Sequence, residues 1–105
     1  MALRRVSVMQ HGVLAGYLNE QLDGRYTFKY SEGYQGSPVS LTMPTLKQFY
    51  EYVGFPPVFE GLLPEGSQLE ALLRQKKIDR HDLMGQLLAV GADVVGSLSI
   101  IVEEP

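Results

Sequence analysis

Apolar and polar residues alternate along the first half of the chain and recur three and four apart along the second. Val6 and Val8 fall on one side of a period-two pattern, with Ser7 and Met9 on the other, as in a half-buried strand. His11-Gly12 reads as a tight turn. Val13 to Leu18 continues as a second strand, with Gly16 as a weak point or bulge inside it. Asp23-Gly24 is a strong turn signal. Beyond it Tyr26, Phe28 and Tyr30 alternate with Arg25, Thr27 and Lys29, which predicts a strand with one aromatic face. Val39, Leu41 and Met43 alternate with Ser40 and Thr42 and predict another, stopped by Pro44. Leu46 to Val53 reads two ways. Leu46, Phe49 and Val53 have helical spacing, whereas Phe49, Glu51 and Val53 fit one face of a short edge strand; a loop or short strand is preferred. The connections are too short for parallel crossovers, so the strands should form an antiparallel sheet.

The second half predicts helices. Pro56 and Pro57 pre-set the backbone for a helix start. Val58, Phe59, Leu62 and Leu63 follow as an apolar stripe, which Pro64 ends. Ser67 to Glu70 matches the Ser-x-x-Glu capping box, with Leu69, Leu72 and Leu73 as the buried face behind it. Asp79 to Asp82 offers a second acidic cap for a helix burying Leu83, Leu87, Leu88 and Met84. Gly91 stands where a C-terminal cap would close that helix. A last strand, Val95 to Val102, is expected to return beside the first. The expected fold class is α+β: a single domain over 1–105, with a small antiparallel sheet carrying two or three short helices.

The length of 105 residues suits one modest core. The chain is 45% hydrophobic and 20% charged, so it should fold. A net charge of −3 gives no overall basic field to gather nucleic acid or anionic lipid. With no cysteine, disulfides, thiolate chemistry and cysteine zinc sites are excluded. No apolar run approaches the roughly 18 residues of a spanning helix, and Ala2 to Met9 is too short and too charged for a secretory signal. A cytoplasmic location is the expectation.

Candidate chemistry is sparse. His11 and His81 are the only histidines and lack metal-ligand spacing. The glycines form neither a dinucleotide-binding nor a phosphate-loop pattern, and no serine has a nucleophile-elbow context. Glu51, Glu60, Glu65 and Glu70 read as solvated carboxylates. Arg74, Lys76, Lys77, Arg80 and His81 form a local basic cluster, which reads as a solvated helix end favoured by the helix dipole. No cofactor, metal or catalytic residue is expected. Tyr34, Phe49, Tyr50, Tyr52, Phe55 and Phe59 crowd a proline-punctuated stretch, and large amphipathic side chains beside proline and glycine suit a protein interface.

Two segments carry a family resemblance. Pro38-Val39-Ser40-Leu41-Thr42-Met43-Pro44, followed by Phe55-Pro56-Pro57-Val58-Phe59-Glu60-Gly61-Leu62-Leu63-Pro64-Glu65-Gly66, resembles the N-terminal subdomain of HipA-type toxin kinases. Asp82-Leu83-Met84 and then Gly91-Ala92-Asp93-Val94-Val95-Gly96-Ser97-Leu98 resemble the same subdomain's close. The resemblance spans nearly the whole chain. HipA kinases continue into an ATP-binding and catalytic core, which this sequence does not contain. The chain is therefore similar to the small HipS-like antitoxins of three-gene HipBST-type systems.

That resemblance implies a non-enzymatic antitoxin. Its partners would be a HipT-like Ser/Thr kinase toxin and a HipB-like helix-turn-helix protein in a ternary complex, with no direct contact to nucleic acid or membrane. It implies obstruction or misalignment of the kinase active site. The alternative is a non-inhibitory subunit that scaffolds a toxin–DNA-binding protein complex. The expected partner interface is Tyr52, Phe55, Phe59, Leu63, Pro64, Glu65, Gly66, Ser67 and Gln68. HipS-like proteins often carry a bulky aromatic immediately after Pro-Glu-Gly. Here that place holds Ser67, whose capping and contact roles are compatible, and the chain has no tryptophan.

Overall fold

The computed structural model describes residues 2–91 and 98–103. Five strands form one sheet: β1 (Ala2–Gln10), β2 (Val13–Gln21), β3 (Tyr26–Tyr30), β4 (Phe49–Tyr52) and β5 (Leu98–Glu103). Their order is β4-β3-β2-β1-β5, with every neighbouring pair antiparallel. Among the described residues, three helices stand between β4 and β5: α1 (Pro57–Glu60), α2 (Gly66–Lys76) and α3 (Leu83–Val90). This is the expected α+β class. The last strand pairs with β1 as anticipated; residues 95–97 of its expected range, with the rest of the Ala92–Ser97 motif, lie outside the described residues.

Turn chemistry sets the first two hairpins. His11 and Gly12 both have positive φ, 51° and 79°, as a two-residue hairpin with the sheet's own twist requires. Past this turn Met9 pairs with Leu14 but Val8 with Gly16, so Ala15 is an extra residue on β2. The bulge turns the buried Ala15 carbonyl to the Ser31 amide at 2.7 Å. Gly16 is then pressed against β3, where any Cβ would collide with the Lys29 carbonyl and the Phe28 ring. The second hairpin turns at Asp23-Gly24, where the Asp23 carboxylate accepts the Arg25 amide at 3.0 Å.

The aromatic face of β3 is buried as its alternation predicts. Phe28 lies fully inside among Val6, Val8, Leu18, Met43, Phe59, Met84 and Leu87. Phe59 from α1 and Met84 and Leu87 from α3 close the core over this face. Among the described residues, no helix is long and apolar enough to cross a membrane.

Residues 39–43 depart from the expected strand. They form consecutive turns, and the edge position beside β3 belongs to β4 instead. Val39 and Met43 are buried, but Leu41 is 97% exposed. The chain reverses at Ser40, whose carbonyl accepts the Met43 amide at 3.0 Å and whose hydroxyl accepts the Thr42 amide at 3.2 Å. Tyr30 locks that turn from beneath. Its hydroxyl accepts from the Val39 amide at 2.9 Å and donates to the Met43 carbonyl at 2.5 Å. A buried hydroxyl that satisfies both ends of a turn outweighs a weak strand propensity.

The helix starts also shift. α1 ends at Glu60, and Leu62 and Leu63 sit in the turn after it. α2 begins at Gly66 with Glu65 in the N-cap position and no side-chain cap, so Ser67 lies inside the first turn and the capping box does not form. Glu70, its expected reciprocal partner, is drawn instead to Arg80. Leu69, Leu72 and Leu73 are only half-buried. α3 is capped by Asp82, which accepts the Gly85 amide at 3.0 Å, while the Asp79 carboxylate caps only the turn at His81, at 2.7 Å.

Candidate functional site

The segment from Tyr52 to Gln68 leaves the sheet edge, dips into the core and re-emerges. Tyr52 ends β4 half-buried, and burial raises its hydroxyl above the ordinary tyrosine pKa. Phe55 stands edge-on to Tyr26, with ring centroids 5.1 Å apart. Pro56 is buried and its carbonyl accepts the Phe59 amide at 3.1 Å, which starts α1. Phe59 is then fully enclosed, 5.8 Å from the Phe28 ring. The Leu63 amide donates to the Glu60 carbonyl at 3.1 Å, and the Leu63 side chain is buried in turn.

Phe59 and Leu63 are therefore core residues, with almost no surface for a partner to touch. They anchor the projecting turn from below. Pro64 is half-buried, and Glu65, Gly66, Ser67 and Gln68 are exposed. Gly66 has φ +59°, a conformation that costs other residues more. Because Ser67 is not used as a cap, its hydroxyl makes no intramolecular hydrogen bond among the described residues. The expected interface thus divides into two buried supports, two half-buried aromatics and an exposed tip.

The basic cluster is partly neutralised. Arg80 donates to Glu70, an exposed pair that raises the arginine and lowers the carboxylate. Arg74 and Lys76 occupy the last turn of α2, where cations favour the helix dipole. Lys77, with φ 55°, is the left-handed residue that ends the helix.

The largest polar constellation has no signature in the sequence, because its members are far apart in the chain. Arg4 on β1 clasps Glu20 on β2 through two bonds, Nε–Oε1 at 2.6 Å and Nη2–Oε2 at 2.8 Å. The same guanidinium reaches Asp82 at the head of α3 at 2.8 Å. The Tyr26 hydroxyl donates to Glu20 at 3.0 Å. Hydrogen bonds from Arg4 hold both carboxylates below their ordinary values, and the two carboxylates raise Arg4. Burial, then the Glu20 carboxylate, pushes Tyr26 up to about 12.

These charged groups saturate one another, and a raised tyrosine stays neutral near pH 7. The arrangement ties strands to a helix and poises no acid, base or nucleophile. Among the described residues, no group of three His, Cys, Asp or Glu side chains could hold a metal ion. What the 52–68 segment can supply is surface: an exposed polar start to α2 above the buried Phe59 and Leu63.

Comparison with known proteins agrees along nearly the full length. A family model for the HipA N-terminal domain matches residues 6–101. An uncharacterized protein of Haemophilus influenzae is 31% identical over 98 residues, which are 93% of this chain and 92% of that protein. A solved structure of the N-terminal domain of HipA toxin superposes with a TM-score of 0.78 at 29% identity, covering 99% of this chain and 96% of that one.

Proposed function

The chain belongs to the HipA N-terminal domain family, and from that membership we propose that it is an antitoxin subunit that binds a separate HipA- or HipT-type Ser/Thr kinase toxin and holds it inactive. A role in a toxin–antitoxin system is consistent with the family and fold. The finer function is carried by one observation. The matched region is 92% of the Haemophilus influenzae relative, which leaves little of that protein for a further domain. In the HipA toxins this unit resembles, the domain is continuous with a kinase core. A domain that exists both attached and on its own is suited to docking where its attached counterpart sits.

Inhibition then works by occupancy. The Pro64–Gln68 segment, exposed from Glu65 onward, enters or distorts the kinase cleft above the buried Phe59 and Leu63. Tyr52 and Phe55, earlier in the same segment, offer half-buried aromatic surface suited to the few anchors that dominate an interface. Ser67 contributes a small polar contact rather than an aromatic plug, so inhibition leans on the turn as a whole. A HipB-like helix-turn-helix protein completes the assembly, and this chain contributes no catalysis to it.

The test is a phosphorylation assay. A HipA- or HipT-type kinase lacking this domain is purified with and without this protein, and its autophosphorylation is followed with labelled ATP. A stable complex with suppressed phosphorylation is expected. The double variant Glu65→Arg, Gln68→Arg should restore phosphorylation while its melting temperature stays that of the parent. A stable complex with full kinase activity would instead establish a scaffolding subunit, and absence of any complex would refute both.

A further inference from the structure

The sheet has a free edge at β4, and its surroundings are unusual for an edge strand. The Tyr30 amide bonds the Gln48 carbonyl at 2.8 Å, and β3 pairs onward as Phe28 with Tyr50 and Tyr26 with Tyr52. In an antiparallel ladder the bonded pairs fall on alternate residues. The backbone groups of Gln48, Tyr50 and Tyr52 therefore face β3, and those of Phe49 and Glu51 point outward. Among the described residues nothing pairs with them.

A concavity lies on each side of this edge. One, of about 480 Å³, is lined by Leu22, Thr27, Phe49 and Glu51 on the sheet's outer side. The other, of about 410 Å³, is lined by Tyr50, Tyr52, Pro57 and Val58 on the helix side. Leu22 is 71% exposed and Phe49 48%. An added strand would send alternate side chains into the two hollows, so backbone pairing and side-chain pockets coincide.

Charge narrows the occupant. Glu51 is the only charged residue of β4 and lines both concavities. Nearby, Arg25 is already paired with Asp23 at 3.4 Å, Lys47 sits over the Tyr50 ring at 5.0 Å, and Lys29, opposite Phe49 on the same face, makes no ion pair with Glu51 among the described residues. Glu51 has no ion-pair partner among the described residues. A second copy of the chain, paired two-fold about Glu51, would set two carboxylates opposite each other, which destabilises a strand pair, and pairing about Phe49 would need Lys47, outside β4 and seated over the Tyr50 ring, to lie opposite Glu51. A basic residue in that place would be complementary.

We infer that β4 is a strand-addition site for an extended segment of a partner protein, one that presents a lysine or arginine opposite Glu51 with apolar residues flanking it. The site shares Tyr52 with the proposed kinase-docking surface but not the Pro64–Gln68 segment, and it does not rest on the kinase-docking function.

The probe is the peptide acetyl-Thr-Val-Lys-Val-Thr-amide, titrated into the isotope-labelled full chain and read by amide shifts and hydrogen exchange. Exchange at Phe49 and Glu51 should slow about tenfold at a concentration roughly ten times the measured Kd. N-methylation of the lysine backbone nitrogen should abolish this, since that N–H faces the edge. Glutamate in place of the lysine should weaken binding, and Glu51→Lys should reverse that preference. The Glu65→Arg, Gln68→Arg double variant should bind the peptide unchanged. The inference is overturned by a lack of saturation by about 1 mM peptide, by shifts centred away from β4, or by concentration-dependent dimerisation that protects Phe49 and Glu51 without peptide.

Discussion

Arg4 and Asp82 lie 78 residues apart in the chain and are joined by a 2.8 Å hydrogen bond between guanidinium and carboxylate. The contact fastens the head of α3 to the first half of strand β1. It does so through a carboxylate that also caps the helix, so one side chain serves local and tertiary structure together.

Removing Arg4 should therefore loosen two elements at once. Arg4→Met leaves Glu20, whose side chain is only 12% exposed, without its cation. A loss of about 2 kcal/mol is expected, between the values for exposed and buried pairs. The check is urea unfolding, with a lower midpoint at unchanged slope.

The same network sets an acid limb to stability. Glu20 and Asp82 titrate below their ordinary values of 4.5 and 3.8 in the folded state, so the unfolded chain binds more protons as the solution becomes acidic. Their contribution is complete above those ordinary values and drains away as pH falls through the lowered ones. In Arg4→Met the decline should flatten. Unfolding free energies measured from neutral pH down to about pH 2 would show it.

At the alkaline end Tyr26 dominates. Its folded pKa, about 12, lies above the ordinary 10.0, so the stabilisation it brings is complete below pH 10.0 and disappears as pH rises toward 12. Tyr26→Phe should shift this alkaline limb. Spectrophotometric titration of tyrosinate should lose one late-ionising group in the variant.

Tyr30→Phe tests the turn that replaces the expected strand. Without the hydroxyl, the Val39 amide and Met43 carbonyl lose their partner inside the structure, which costs about 2 kcal/mol. Amide exchange at Val39 should accelerate beyond what the global loss explains.

Leu41 and Met43 separate strand from turn directly. In a strand they would share a face and cost similar amounts. Here Leu41→Ala should stay within about 0.5 kcal/mol of the parent, whereas Met43→Ala, in the closed core, should cost about 3 kcal/mol. Thermal unfolding of the two variants side by side decides it.

Much of the sheet could be read in the chain because its signals are local. The positive-φ turn at His11-Gly12, Asp23-Gly24 and the Tyr26-Phe28-Tyr30 alternation each act over a few residues. The family of the chain was also legible, in Phe55–Gly66 and its neighbours. The Val39–Met43 segment was misread because its alternation is genuine, but Tyr30, nine residues before Val39, holds the segment in a turn. The capping box failed at Ser67 because Gly66 takes the left-handed conformation and Arg80 draws Glu70 away.

What the residue order determined alone was the type of most short-range elements, since turn propensity and period need no distant partner. What only the tertiary structure decided was allocation. It sent Phe59 and Leu63 into the core and left Glu65 to Gln68 outside, bound Arg4 to two carboxylates, and gave the sheet edge to β4. Those outcomes depend on which surfaces meet in three dimensions, and burial and charge pairing are properties of that meeting rather than of neighbours along the chain.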